Sequence, residues 1–286
     1  MLLNTLNKEK LYESLAEVFS ISVQQMKEYI KTNTKNILDY GYDEYTVEKI
    51  DITSLLNENF VGKLATVGEI MVHHITPRAD TAEIKNEGLM TLPHALTEKT
   101  ALSNYLAERG FEFSFDEKQI YMKKDGEAVD ISKLEPSNLL MRLGGKYSLF
   151  DFNVNGYLFV TDFRIADCLG WLGSPEILKS LANAFGDRNI ADDYAENCNN
   201  YLVSFRVPIE QVDIAGYDAN ISREEKTEII IKCAINALAC MEEEPKRTEE
   251  IYNPKIMLKR NFDVPGENVE KIWTFRGTST KIVPEE

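Results

Sequence analysis

Between Val72 and Leu89 the chain spells out a complete strand–turn–helix unit, and any fold it adopts has to accommodate that unit. Val72 and Ile75 are β-branched, and Ala65-Thr66-Val67-Gly68-Glu69-Ile70-Met71 gives them a mostly apolar approach, which reads as a strand. Pro77 has no N–H to offer a ladder and ends it. Asp80 or Thr81 can cap the helix that follows, with Glu83 in its first turn. Gly88 sits where a helix C-terminus needs a left-handed residue, and Leu89 can fold back as the apolar contact of that cap. His74 is the polar group of note at the strand end. It reads either as a half-buried histidine satisfied by a backbone carbonyl or as a ligand-binding imidazole. His73 points to the opposite face of the strand, so only one of the pair can face a pocket.

A length of 286 residues suggests one large domain, or one domain with an appendage. The formal net charge of −15 argues against tracking a nucleic-acid backbone over a wide surface, while leaving room for a local basic patch. Cys168, Cys198, Cys233 and Cys240 form no Cys-x-x-Cys pair and have no histidines at zinc spacing, so a structural zinc site is not expected and no metal ligands are assigned. Cys233 and Cys240 fall on one helix face and are expected in the core. No signal-like apolar stretch follows the N-terminus and no run approaches a membrane span, so the expectation is a cytoplasmic protein with reduced thiols.

Residues 8–31 are expected to form two helices. Leu11, Leu15, Val18 and Phe19 repeat at helical spacing, Ser20-Ile21-Ser22 turns the chain, and Val23, Met26 and Ile30 repeat again. The pair loosely resembles a helix-turn-helix offering Gln24, Gln25, Lys27 and Lys31, but the acidic balance favours a plain helical hairpin over direct DNA binding. Residues 32–64 read as a connector, which places a helical region over 1–64 and the main domain over 65–286. Beyond Leu89 the pattern gives a helix near Glu98–Glu108 and a half-buried strand at Phe111–Phe115. A hairpin about Asp125-Gly126 then decorates the fold. Residues 175–200 look helical and surface-exposed, Tyr201–Val207 is a strand, and Ser222-Arg223-Glu224-Glu225 is a capping box opening an amphipathic helix through Ile229, Cys233, Ile235, Leu238 and Met241.

The segment His74-x-Thr76, a spacer, then Ile84-x-x-x-Gly88-Leu89 resembles the first strand and helix of the ADP-ribosyltransferase superfamily. A second stretch, Gly156-Tyr157-Leu158-Phe159-Val160-Thr161-Asp162 with Ala166 beyond it, is similar to the family's strand that leads into a helix, and Asp162 would cap that helix. Tyr201–Val212 and Ile256–Val269 resemble later strands and a proline-containing turn of the same fold.

The resemblance implies an α+β domain on a split, twisted, antiparallel-rich sheet, preceded by the helical region. It also implies NAD as the substrate cofactor and mono-ADP-ribosylation of a macromolecular acceptor, protein or nucleic acid. Bacterial toxins and antiviral effectors act in this way, some beside a neutralising partner protein. His74 and Thr76 would orient NAD, Arg78 and Gly88 would border it, and Tyr157 and Phe159, expected on one strand face, would stack on nicotinamide. The carboxylate that such chemistry requires as positive charge develops on the ribose falls, by the family's spacing, near apolar Met257. Glu250, beside Glu249, is the nearest candidate, with solvated acidity as its other reading. Two alternatives stay open. One is an RNA 2′-phosphotransferase-like enzyme, which would need cations such as Arg78, Arg142 or Lys146 near His74. The other is a catalytically altered member acting as a binding or regulatory protein.

Overall fold

The computed structural model describes residues 1–38, 47, 49–51, 66–134, 138–143, 152–164, 171–243, 251–277 and 281–285. In chain order the elements begin with β1 (Leu2–Leu3), α1 (Lys8–Val18), α2 (Val23–Ile37) and β2 (Glu69–Arg78). Then come α3 (Thr81–Glu87), α4 (Leu92–Thr97), α5 (Ala101–Ala107), β3 (Phe111–Phe115), β4 (Ile120–Lys124), β5 (Glu127–Ala128) and α6 (Asn138–Leu143). These are followed by β6 (Asn155–Tyr157), β7 (Phe163–Arg164), α7 (Glu176–Phe185), α8 (Asn189–Glu196), β8 (Asn199–Pro208) and β9 (Val212–Ile214). The last are α9 (Arg223–Glu243), β10 (Lys255–Leu258), β11 (Val269–Gly277) and β12 (Lys281–Glu285). The class is α+β, with a mostly antiparallel sheet.

The main sheet runs β7-β12-β11-β8-β2-β6-β10-β9, and β1 adds in parallel to the start of β2. Strand β2 pairs with β8 at every position from Glu69 to Arg78, but with β6 only at His73↔Tyr157. The sheet is therefore continuous on one side of β2 and parts into a second arm, β6-β10-β9, on the other. Gly156 is needed at that junction, because a Cβ there would lie 2.6 Å from the Val72 side chain and 2.7 Å from the His73 carbonyl.

Helix α9 covers one sheet face. Ile230, Ile231, Cys233, Ala234, Ile235, Ala237, Leu238 and Ala239 are all buried, which is the pattern of a helix enclosed on every side. The sheet lies on one flank and α1 and α2 on the other, so Leu11, Leu15, Phe19, Met26 and Ile30 share one apolar cluster with Ile70, Val72 and Val203. The helical hairpin expected over 8–31 thus forms, with Ser22 and Gln25 making a reciprocal cap at the start of α2. Ser222 and Glu225 cap each other's backbone at the start of α9, as the sequence predicts.

A second cluster gathers the β3-β4-β5 hairpin sheet, α5, α7 and α8. The Asp125-Gly126 turn has both residues at positive φ, as a two-residue hairpin demands. The expectation of surface exposure over 175–200 is corrected here. Helices form, but Ile177, Leu178, Leu181, Ile190 and Tyr194 are buried because they supply this cluster's core. Among the described residues no helix is long and apolar enough to cross a membrane.

Candidate active site at the strand β2 edge

Strand β2 gives its two histidines opposite fates. His73 is fully buried, with Nε2 2.9 Å from Thr5 Oγ1 and Nδ1 2.7 Å from Ser204 Oγ. Trp273 Nε1 donates to Ser204 Oγ at 2.9 Å, and Thr5 Oγ1 donates to the Met71 carbonyl at 3.4 Å. The donors run one way, from Trp273 through Ser204, His73 and Thr5 to Met71, and a neutral imidazole satisfies every member. Burial lowers the His73 pKa from 6.5 to about 3, with the Thr5 hydrogen bond opposing.

His74 is only partly buried, and its Nδ1 donates to the Asn155 carbonyl at 2.5 Å. Burial lowers its pKa to about 4, the hydrogen bond to Asn155 opposes, and the charges of Arg78 and Lys255 lower it further. The ring is therefore neutral near pH 7. With its proton on Nδ1, it keeps Nε2 as a lone-pair acceptor for an incoming hydroxyl or amide donor.

Thr76 is 3% exposed, and its hydroxyl accepts from Arg78 Nη1 at 2.7 Å. Its role in the structure is to fix Arg78, whose Nη1 also bonds the Pro77 carbonyl and whose Nε lies 3.0 Å from Glu83 Oε1. Glu83 in turn accepts from the Ala79 N–H, so the start of α3, capped by Asp80 as expected, grips the arginine.

Gly88 packs against the turn before β11. It sits at φ 70° and ψ −147°, a glycine conformation but not the left-handed cap expected, and a Cβ there would fall 2.0 Å from the Val264 carbonyl. Leu89 does not merely fold back as a cap contact; it exchanges backbone hydrogen bonds with Val264.

The aromatic pair is corrected as well. Strand β6 ends at Tyr157, so Tyr157 and Phe159 do not share a strand face. Pro254 stands at the next position of the partner strand and has no N–H, and Asn253 beyond it replaces the ladder with its side chain. The Asn253 amide binds both the N–H and the carbonyl of Phe159, each at 2.9 Å. Phe159 is 1% exposed in the main core, whereas Tyr157 joins Phe163 and Trp171 in a separate aromatic cluster. Asp162 caps no helix, because strand β7 follows it directly; Ala166 lies outside the described residues.

Lys255 is the residue that sequence reasoning missed. It pairs with Tyr157 in register, so the two side chains share a face, and its Nζ lies 5.9 Å from the centre of the Trp171 ring. A lysine opening a strand after Asn-Pro carries no motif signal; the β6–β10 register sets it beside Tyr157 on the His73 face, near enough for its charge to act on His74. Arg142 is committed elsewhere, to Glu176 at 2.9 Å and to Ser180. Lys146, Glu249 and Glu250 lie outside the described residues. Met257 sits within β10, paired with Asn155 and Asp213. A groove of about 460 Å³ runs along the β3-β4-β5 hairpin, lined by Phe113, Tyr121, Met122 and Ile131, and its lining includes no residue of β2.

Comparison with family models, with curated proteins and with solved structures finds no match to this chain.

Proposed function

We propose that the edge of β2 binds NAD, and that the chain is an ADP-ribosyltransferase-type enzyme that transfers ADP-ribose to a macromolecular acceptor. The observation that carries this reading is the state of His74. It is a neutral imidazole in the middle of β2, held through Nδ1, with an acceptor nitrogen left over and two cations as the charges acting on it. A nucleotide needs both kinds of group. Nε2 accepts from a ribose hydroxyl, while Arg78, on the same face of β2, meets the diphosphate charge. The parting of β2 from β6 and the His-x-Thr strand running into α3 support the same reading.

Transfer also needs a carboxylate, and Glu250, shortly before β10, fills that role in this proposal. Nicotinamide release from NAD by the purified chain tests it. Glu250→Gln is expected to lower the rate by on the order of a hundredfold, the usual cost of losing a preorganised group that stabilises developing charge. Unchanged turnover would remove Glu250 from the mechanism.

Binding is tested separately. NAD at a hundred times its dissociation constant stabilises a folded protein by about 2.7 kcal/mol, read as a raised Tm. His74→Ala is expected to abolish that gain, measured against the variant's own unliganded Tm. A rise in Tm with NAD but no nicotinamide release would favour a binding protein.

Arg78 also favours a second reading, an RNA 2′-phosphotransferase-like activity in which it holds a phosphate. Incubation with 2′-phosphorylated RNA and NAD separates the two, because only this second activity removes the RNA phosphate.

A further inference from the structure

Away from His74, on the far side of α3, the side chains of His94, Glu98 and Asp263 converge. A ring nitrogen of His94 and one carboxylate oxygen each from Glu98 and Asp263 all lie within 4.8 Å of one another. His94 lies in α4 and Glu98 is its C-cap, four residues on and therefore on the same face of the turn. Asp263 arrives from the segment between β10 and β11, beside the Leu89↔Val264 bridge. Its Oδ2 sits 2.5 Å from His94 Nδ1, and its Oδ1 accepts from both the N–H and the hydroxyl of Thr91, at 2.7 and 3.1 Å.

We propose that this cluster is a binding site for a divalent transition-metal ion of the zinc class. Two carboxylates and one imidazole match the charge and the donor preference of such an ion. The imidazole argues against calcium or magnesium, which favour all-oxygen shells. Three protein donors leave a fourth tetrahedral position for water or a substrate oxygen. Ligand atoms around tetrahedral zinc stand about 3.4 Å apart, so small side-chain rotations that open the His94–Asp263 pair and draw in Glu98 would reach that spacing. Thr91 already orients Asp263 as an outer-shell partner would. Among the described residues neither carboxylate is ion-paired with a lysine or arginine, and the proton between His94 and Asp263 is the one that a metal would displace. A bound ion would tie the segment before β11 to α4.

The test uses the full chain, stripped with a chelator and titrated with Co(II) in the absence of nucleotide, so that its outcome does not depend on NAD binding. One equivalent is expected to bind, with the visible absorption of a tetrahedral nitrogen–oxygen site. His94→Ala and Glu98→Gln are each expected to weaken binding at least tenfold. Asp263→Asn also disturbs the Thr91 cap, so the exposed Glu98→Gln variant, checked for an unchanged far-ultraviolet circular dichroism spectrum, is the deciding one. No saturable binding to the wild-type chain would overturn the proposal. So would wild-type affinity in Glu98→Gln, or a thiolate-to-cobalt band showing that cysteines are the ligands.

Discussion

Replacing Gly88 with alanine is expected to destabilise the fold by several kcal/mol, lowering the denaturant midpoint and the yield of folded protein. Two costs combine. The backbone at φ 70° and ψ −147° lies near a region that essentially only glycine occupies, and forcing another residue there costs about 1–3 kcal/mol. The added methyl would also meet the Val264 carbonyl at 2.0 Å, backbone rather than a yielding side chain. Gly266 faces the same constraint from the other side, because a Cβ there would lie 1.9 Å from the Lys85 carbonyl. Helix α3 and the 264–266 turn are thus in backbone-to-backbone contact. Urea unfolding of Gly88→Ala beside Gly186→Ala makes the comparison, since Gly186 has a similar φ of 67° but open space where its Cβ would be. Equal losses would show that the close approach at Gly88 contributes nothing.

Acid is expected to weaken the protein through His73 well before most carboxylates are protonated. The unfolded ring takes up a proton below its ordinary value of 6.5, whereas the folded ring resists until about pH 3. Below 6.5 the unfolded state therefore binds more protons than the folded one. The stability this group contributes is complete above pH 6.5 and declines as the pH falls towards 3. One unit of difference is about 1.4 kcal/mol, so between pH 7 and pH 5 His73 removes about 2 kcal/mol. His74, lowered to about 4, acts in the same sense over the same interval. Denaturant titrations at pH 7 and pH 5 read the loss, and His73→Asn is expected to start less stable but to lose less on acidification. A variant with the wild-type pH dependence would place the proton uptake elsewhere. His73→Ala is expected to cost on the order of 3 kcal/mol at neutral pH, because it leaves a cavity and strands the Thr5 and Ser204 hydroxyls.

Local chemistry carried much of the fold. Asp80 caps α3, Ser22 caps α2, Ser222 caps α9, and the Asp-Gly hairpin turns where its dihedral needs require, because each depends on residues within four positions. Alternation also assigned His73 and His74 correctly to opposite faces. What depends on a distant partner was not legible. Phe159 leaves the strand because Pro254, nearly a hundred positions away, withholds a donor and Asn253 substitutes for it. The helices at 176–196 look amphipathic, and only the hairpin sheet beneath them explains how much of them is buried. The candidate site divides the same way. His74 and Arg78 stand out in a single stretch of sequence, while Lys255 is placed beside Tyr157 by strand register alone, and Asp263 meets His94 through the Leu89 bridge.

The single-position contact between β2 and β6 also bears on how the chain is assembled during synthesis. Strand β8 pairs with β2 along its whole length and can do so once it is synthesised, but its other edge has no partner until β11 follows. The β6 arm, with almost no ladder to β2, gains its main partner only when β10 arrives. Until then the nascent sheet presents two open edges, of the kind that invite mispairing or capture by chaperones. The parting of the sheet beside β2 thus also leaves one of its late seams, and slow translation between β8 and β11 would be the interval of greatest exposure to aggregation.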